Sequence, residues 1–270
     1  MKITILSDNI GSGSLEGEWG LSVHIVYGGK NYLLDTGGSE LYLSNASKLG
    51  IDISDVDCAI LSHAHYDHSR GLEAFFRVNR KAYLHISPNA GENCYGGIGF
   101  LSRYIGLPKG LLAAYGDRMK ANGEVTEIDE GVFVVPHSTA GLSKIGRRSH
   151  LYVRCGWLYR PDDFSHEQSL VFRTENGLAV FNSCSHSGAD VVVDEVRKAF
   201  PDESVTAYIG GLHLFRMSEA EVKAVAVRIR SAGISRVSTG HCTGDKAFAV
   251  LKSCLGDAVE QFRCGMSITL

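Results

Sequence analysis

Prolines are scarce in this sequence, five in 270 residues, and no Pro/Gly-rich linker or charge block divides it. A single domain over 1–270 is therefore expected, a size that α/β and all-β architectures use undivided. Long apolar runs are also missing. Nothing approaches the roughly 18 consecutive apolar residues that cross a bilayer. The opening run Met-Lys-Ile-Thr-Ile-Leu-Ser reaches Asp8 too soon for a signal peptide. No Cys-x-x-Cys pair occurs, and the seven scattered cysteines are an odd set. That excludes a disulfide framework and reads as reduced, buried thiols. Nor is there an excess of positive charge, the net value being −3, which argues against a broad nucleic-acid surface. The expectation is a cytoplasmic protein whose partner is a small molecule, with neither nucleic acid nor membrane. Oligomeric state is left open.

What is present is a recurrence of short β-branched runs: 3–6, 22–27, 32–34, 58–61, 82–86, 132–135, 151–154, 169–173, 178–182, 205–209 and 236–238. Bounded by Gly, Asn or Asp, they predict strands. Helical patterns fall at 40–49, 72–79, 190–200, 219–231 and 246–255. In the fourth of these, Val222, Val225, Ala226 and Ile229 share one face. Strands with helices interspersed in each half predict an α/β (α+β) fold, an αββα sandwich of two sheets flanked by helices. The glycine-rich stretch 89–122 predicts an irregular or partly helical insertion, or a lid.

The chemistry concentrates in Leu61-Ser-His-Ala-His-Tyr-Asp-His68. Three imidazoles and a carboxylate within six residues, on a loop from an apolar strand to a helix, can converge on one point. These donors suit Zn²⁺, Fe or Mn²⁺.

His63-x-His65-x-Asp67-His68 after an apolar strand resembles the metal motif of the metallo-β-lactamase superfamily. Other marks follow in order. Leu33-Leu34-Asp35-Thr36-Gly37 resembles the first motif, whose Asp supports the metal site from behind. Cys184-Ser185-His186 resembles the third, and Thr239-Gly240-His241 the last. The resemblance implies that His63, His65 and His186 hold one ion and Asp67, His68 and His241 a second. Two divalent transition-metal ions are expected, Zn foremost, with Fe or Mn as alternatives. Each would keep an open position, as catalytic sites do, so a metal-held hydroxide would be the nucleophile. Asp67 and Asp35 are the carboxylates expected to serve catalysis.

Many dinuclear members carry a bridging Asp between the third and last motifs. Over 202–238 the only Asp here is Asp202, beside a proline, and Ile209-Gly-Gly-Leu-His213 stands instead. His213 is a terminal ligand, a substrate contact or a packed residue. Asp8 and Asn9 either reach the metals or simply end the first strand. Ser7-Asp8-Asn9, Glu18-Trp19-Gly20, Phe164-Ser-His-Glu167-Gln168 and Thr-Gly-His-Cys-Thr-Gly244 are together similar to a subfamily named for 7,8-dihydropterin-6-methyl-4-(β-D-ribofuranosyl)aminobenzene-5′-phosphate synthase. Trp19 departs from it, a His being expected there. Over 131–161 there is no acid, but Lys144, Arg147, Arg148, Arg154 and Arg160 are present. Lys144, Arg147 and Arg148 form either an anion-binding patch or a solvated face.

The reading is a dinuclear metallohydrolase acting on a small anionic phosphoester, cyclic phosphate or lactone. Its rivals are a pterin-type transferase and a non-catalytic metal-binding protein. A di-iron oxygen reductase would need an electron-donor domain for which 270 residues leave no room, and nuclease members add a long arm or second domain.

Overall fold

The computed structural model describes residues 1–97 and 101–270. Of the expected insertion at 89–122, Ile98, Gly99 and Phe100 lie outside the described residues. Every strand expected from the sequence is present, within about two residues at each end.

Two seven-stranded sheets form the body. In the first, the order runs Ser267–Thr269, Lys2–Ser7, Ser22–Tyr27, Lys30–Leu34, Cys58–Ile60, Tyr83–Ile86, Met119–Ala121. In the second it is Val259–Gln261, Arg236–Thr239, Val205–Ile209, Gly177–Phe181, Gln168–Thr174, Val132–Pro136, Thr126–Asp129. Period-two alternation separates the layers. Tyr32, Leu34, Leu170, Phe172, Ala179, Phe181, Ala207 and Ile209 face the gap between the sheets. Their neighbours Leu33, Val171, Val180 and Tyr208 face outward, under helices. Helices Leu41–Lys48 and Leu72–Val78 cover the first sheet through Tyr42, Ala46, Phe75 and Phe76. Helices Ala189–Ala199, Glu219–Ser231 and Asp245–Leu255 cover the second through Val192, Val196, Val222, Ile229 and Leu251. The order is α, β, β, α, as the sequence predicts.

The insertion is more regular than expected. Cys94–Gly96 and Arg103–Tyr104 join Leu151–Cys155 and Leu158–Pro161 in a third, four-stranded sheet. Leu111–Tyr115 is helical, and Met119–Ala121 extends the first sheet. Glycine density hid these elements, which are short and pair with segments outside the stretch, Cys94–Gly96 with Leu151–Cys155 and Met119–Ala121 with Tyr83–Ile86. No pair of cysteines among the described residues is bonded, but Cys155 is exposed and Cys58 and Cys254 half-buried, so the thiols are not uniformly buried. No helix among the described residues is long and apolar enough to cross a membrane.

Candidate metal centre

Lys30–Leu34 runs parallel to Cys58–Ile60, and Gly177–Phe181, Val205–Ile209 and Arg236–Thr239 are parallel to one another. Parallel neighbours bring their carboxyl ends to one edge, where doubly packed sheets collect ligands. Those ends deliver Asp35, the 61–68 loop, the 182–187 turn, Gly210-Gly211 and His241. Asp35, Ser185, His213 and His241 all take positive φ, between 48° and 60°. Strained backbone in non-glycine residues is held only where the surroundings over-determine it.

Donor atoms of His63, His65 and His186 lie within 4.8 Å of one another, all buried. Ser62 Oγ donates to Asp35 Oδ2 (2.6 Å) and so accepts from His63 Nδ1 (2.8 Å). That leaves a lone pair on His63 Nε2, which is buried and unpartnered. His65 Nδ1 and His186 Nε2 face each other at 3.1 Å. Two imidazole nitrogens so placed share either a proton or a cation. Burial, then neighbouring imidazoles, hold His63 and His186 well below the usual histidine pKa, so both are neutral and able to ligate.

The second group mirrors the first. His68 Nδ1 donates to Asp35 Oδ2 at 2.8 Å, aiming Nε2 inward. Asn9 Nδ2 donates to His241 O, so its Oδ1 is the acceptor for His241 Nδ1–H, each at 3.1 Å. His241 Nε2 then points inward, buried and without a hydrogen-bond partner, 3.5 Å from Asp67 Oδ2. Burial opposes charge on His241, but Asp67 outweighs it and lifts the pKa to about 9. Burial likewise pushes Asp67 up, and the neighbouring imidazoles of His68 and His241 more than reverse this, holding its carboxyl below the usual range. Rings His63 and His68, 4.2 Å between centroids, join the two groups. The orphaned, oriented, buried nitrogens and the one carboxylate fit a pair of borderline divalent cations.

Asp35 points at Ser62 and His68, not into the centre: Ser62 N also donates to its Oδ1 (2.7 Å). Asp8 Oδ1 accepts from the His241 backbone N (2.8 Å). Asp8 and Asn9 thus hold His241 in its strained conformation. His213 stands beside His186, 4.3 Å between ring centroids, with Nδ1 unpartnered. Lys144, Arg147 and Arg148 lie on the helix Ser143–Ser149, and no hydrogen bond or ion pair among the described residues links them to the histidines. Arg148 pairs with Glu221 at 2.7 Å. On the same helix, a Cβ at Gly146 would strike the Asp162 backbone. The helix therefore packs on the segment carrying Asp162.

Several residues take roles that the sequence reading did not assign. Glu167, buried, accepts from His186 N (2.9 Å) and from Ser187 Oγ (2.8 Å), which sets the 186 turn. Behind His65 lie Cys94, Asp162 and His166, all buried, with His166 Nε2 donating to Asp162 Oδ2 at 3.0 Å. Trp19 Nε1 donates to Asp67 Oδ2 (2.8 Å). Its ring packs on His241 and Phe215, with centroids 5.0 and 5.6 Å away. Trp19 and Phe215 are both partly exposed, an aromatic wall beside the second group. No periodicity marks any of these, because their partners come from distant segments.

Residues 20–144 match the profile of the metallo-beta-lactamase superfamily. A Methanocaldococcus jannaschii protein named 7,8-dihydropterin-6-methyl-4-(beta-D-ribofuranosyl)-aminobenzene-5'-phosphate synthase is 26% identical, over 88% of this chain and 84% of its own. A crystal structure described as a metal-dependent hydrolase of the beta-lactamase superfamily superposes with a TM-score of 0.85 at 28% identity. It covers 100% of this chain and 99% of that one. The Zn²⁺-bound PqqB of Methylobacterium extorquens shares the fold, with a TM-score of 0.59 at 13% identity, all of both chains being covered.

Proposed function

This chain belongs to the metallo-β-lactamase superfamily, and from that premise we propose a dinuclear metallohydrolase that cleaves a small anionic phosphoester, cyclic phosphate or lactone. The observation that carries the proposal is the convergence of buried imidazole nitrogens, each with its other ring nitrogen or its backbone fixed by a named partner. His63, His65 and His186 would hold one ion, and Asp67, His68 and His241 the other. When bound, two such ions supply Lewis acidity that polarises a substrate oxygen and acidifies water.

The chain's own residues do the rest. Asp35 holds His68 and, through Ser62, His63. Asn9 and Asp8 hold His241. Trp19 restrains Asp67 and, with Phe215, shields that side from water. The donors bring little negative charge, so the loaded centre is cationic and suits an anion. Lys144 and Arg147 make no ion pair among the described residues and are available to steer one.

A second reading, a pterin-type transferase, is favoured by the archaeal relative's name and by the Trp19–Phe215 wall, whose aromatic faces could cover a planar ring. One experiment addresses both. Elemental analysis after reconstitution should find about two ions per chain, and His68→Ala should lower that toward one. Phosphodiester, lactone and thioester substrates, run beside a pterin-transfer assay, separate hydrolysis from transfer. A wild type that retains no transition metal would end both readings.

A further inference from the structure

Over 202–238, where a bridging Asp was expected, the only Asp is Asp202, and no carboxylate from that window reaches the histidines among the described residues. The turn there is Gly210-Gly211, and it has no room for a side chain. A Cβ on Gly210 would collide with the Asn182 backbone, and one on Gly211 would sit 2.5 Å from Cys242 Sγ. The space between the two donor groups is reached instead by the sulfur of Cys184, from the end of strand Gly177–Phe181. Cys184 is buried, and its Sγ lies 3.2 Å from His68 Nε2. Donor atoms of His63 and His68 fall within 4.8 Å of it. So do those of His186 and His213, and of His241 and Cys242. One atom therefore neighbours ligands of both groups, His63 and His186 on one side, His68 and His241 on the other.

We propose that Cys184 is a bridging thiolate ligand between the two ions, doing with sulfur what a carboxylate does in other dinuclear centres. The proposal rests on the metal centre described under Proposed function. Two tetrahedral ligands, with metal–sulfur and metal–nitrogen bonds of about 2.3 and 2.0 Å, stand about 3.5 Å apart. The observed 3.2 Å between Sγ and His68 Nε2 is close to that. His68 Nε2 is free to share an ion because its Nδ1 proton is held by Asp35. Cys242, by contrast, packs under Gly211 with its Sγ 3.7 Å from the Cys184 carbonyl oxygen, which makes it a neighbour of the bridge. Binding an ion releases the thiol proton to solvent, with no change in oxidation state. A thiolate between the ions also sets metal choice: Zn²⁺, Fe²⁺ and Co²⁺ over Mn²⁺ and Mg²⁺.

The test is Co²⁺ substitution of the whole protein, read by absorption and by metal count. Wild type should bind about two Co²⁺ and show a near-ultraviolet thiolate-to-cobalt charge-transfer band. Cys184→Ala should lose the band and hold the second ion at least about tenfold more weakly. Cys242→Ala should keep both. Cys184→Asp should hold two ions without the band, which separates loss of a bridge from loss of the fold. Two bound Co²⁺ without the band in wild type would overturn the bridge while leaving the metal centre intact, as would a band that survives Cys184→Ala. A wild type that binds no metal would instead overturn the centre itself.

Discussion

Asp35 accepts three hydrogen bonds at once, from Ser62 N, Ser62 Oγ and His68 Nδ1. A buried carboxylate in that position fixes the tautomer of one imidazole directly and of another through a hydroxyl. Asp35→Asn keeps the shape but turns one acceptor into a donor facing Ser62 or His68. Metal affinity should fall by roughly 10–100-fold with the fold retained, the usual cost of losing such a partner. Chelator competition measures it; an unchanged affinity would show that Asp35 orients nothing. Arg148 offers the opposite case. Its pair with Glu221 is exposed, and such pairs contribute about 0–1 kcal/mol. Arg148→Ala should leave the urea midpoint almost unmoved. If Lys144 and Arg147 steer the substrate, Lys144→Ala/Arg147→Ala should raise KM for a phosphorylated substrate far more than for a neutral one.

Among the elements, two helices depend on single residues. Helix Glu219–Ser231 begins with a capping box, in which Ser218 Oγ accepts from Glu221 N while Glu221 takes the Ser218 N–H. Ser218→Ala should cost about 1 kcal/mol, measurable by urea unfolding and without effect on metal content. Helix Ser143–Ser149 instead depends on close approach. Its Gly146 abuts the Asp162 backbone, and a methyl group there has no space. Gly146→Ala should destabilise by about 1–3 kcal/mol, as overpacking does, and should shift the segment carrying Asp162 and His166. No loss on Gly146→Ala would mean that the helix can stand off from that segment.

At the scale of the molecule, the ion-free protein should be most stable near pH 6.5. His65 and His241 have pKa values raised to about 9, the first by Asp162 and Cys94 and the second by Asp67, each against the opposing effect of burial. A raised folded pKa contributes stability that is complete below the unfolded value, 6.5, and is lost as pH climbs to about 9. His63 and His186 are lowered by burial and by neighbouring imidazoles. The unfolded chain then binds more protons below pH 6.5, so stability falls on that side too. Metal ions replace those protons, so reconstitution should raise Tm and flatten the alkaline limb. Thermal melts of chelated and loaded protein across pH 5–10 check this. An ion-free profile that rises steadily from pH 6.5 to 9 would contradict it.

Local pattern was enough for eleven of the strands, whose alternation assigns one residue to the inner gap and the next to a helix, and for the loop His63–His68, whose donors lie within six residues; it missed edge strands such as Val259–Gln261 and Ser267–Thr269. Asp35, His186 and His241 were marked by the resemblance of their motifs to those of the superfamily. Which nitrogen of each ring is free could not be read there, since an imidazole's lone pair is assigned by whatever holds its other nitrogen: Ser62 for His63, Asp35 for His68, Asn9 for His241. Nor could the sequence foresee that Glu221 would neutralise Arg148, that Cys94, Asp162 and His166 would gather behind His65, or that Cys184 would reach the gap left by Gly210-Gly211. Those outcomes depend on strand order and on contacts between residues far apart in the chain, and spacing along a sequence carries no information about them until the sheets have paired.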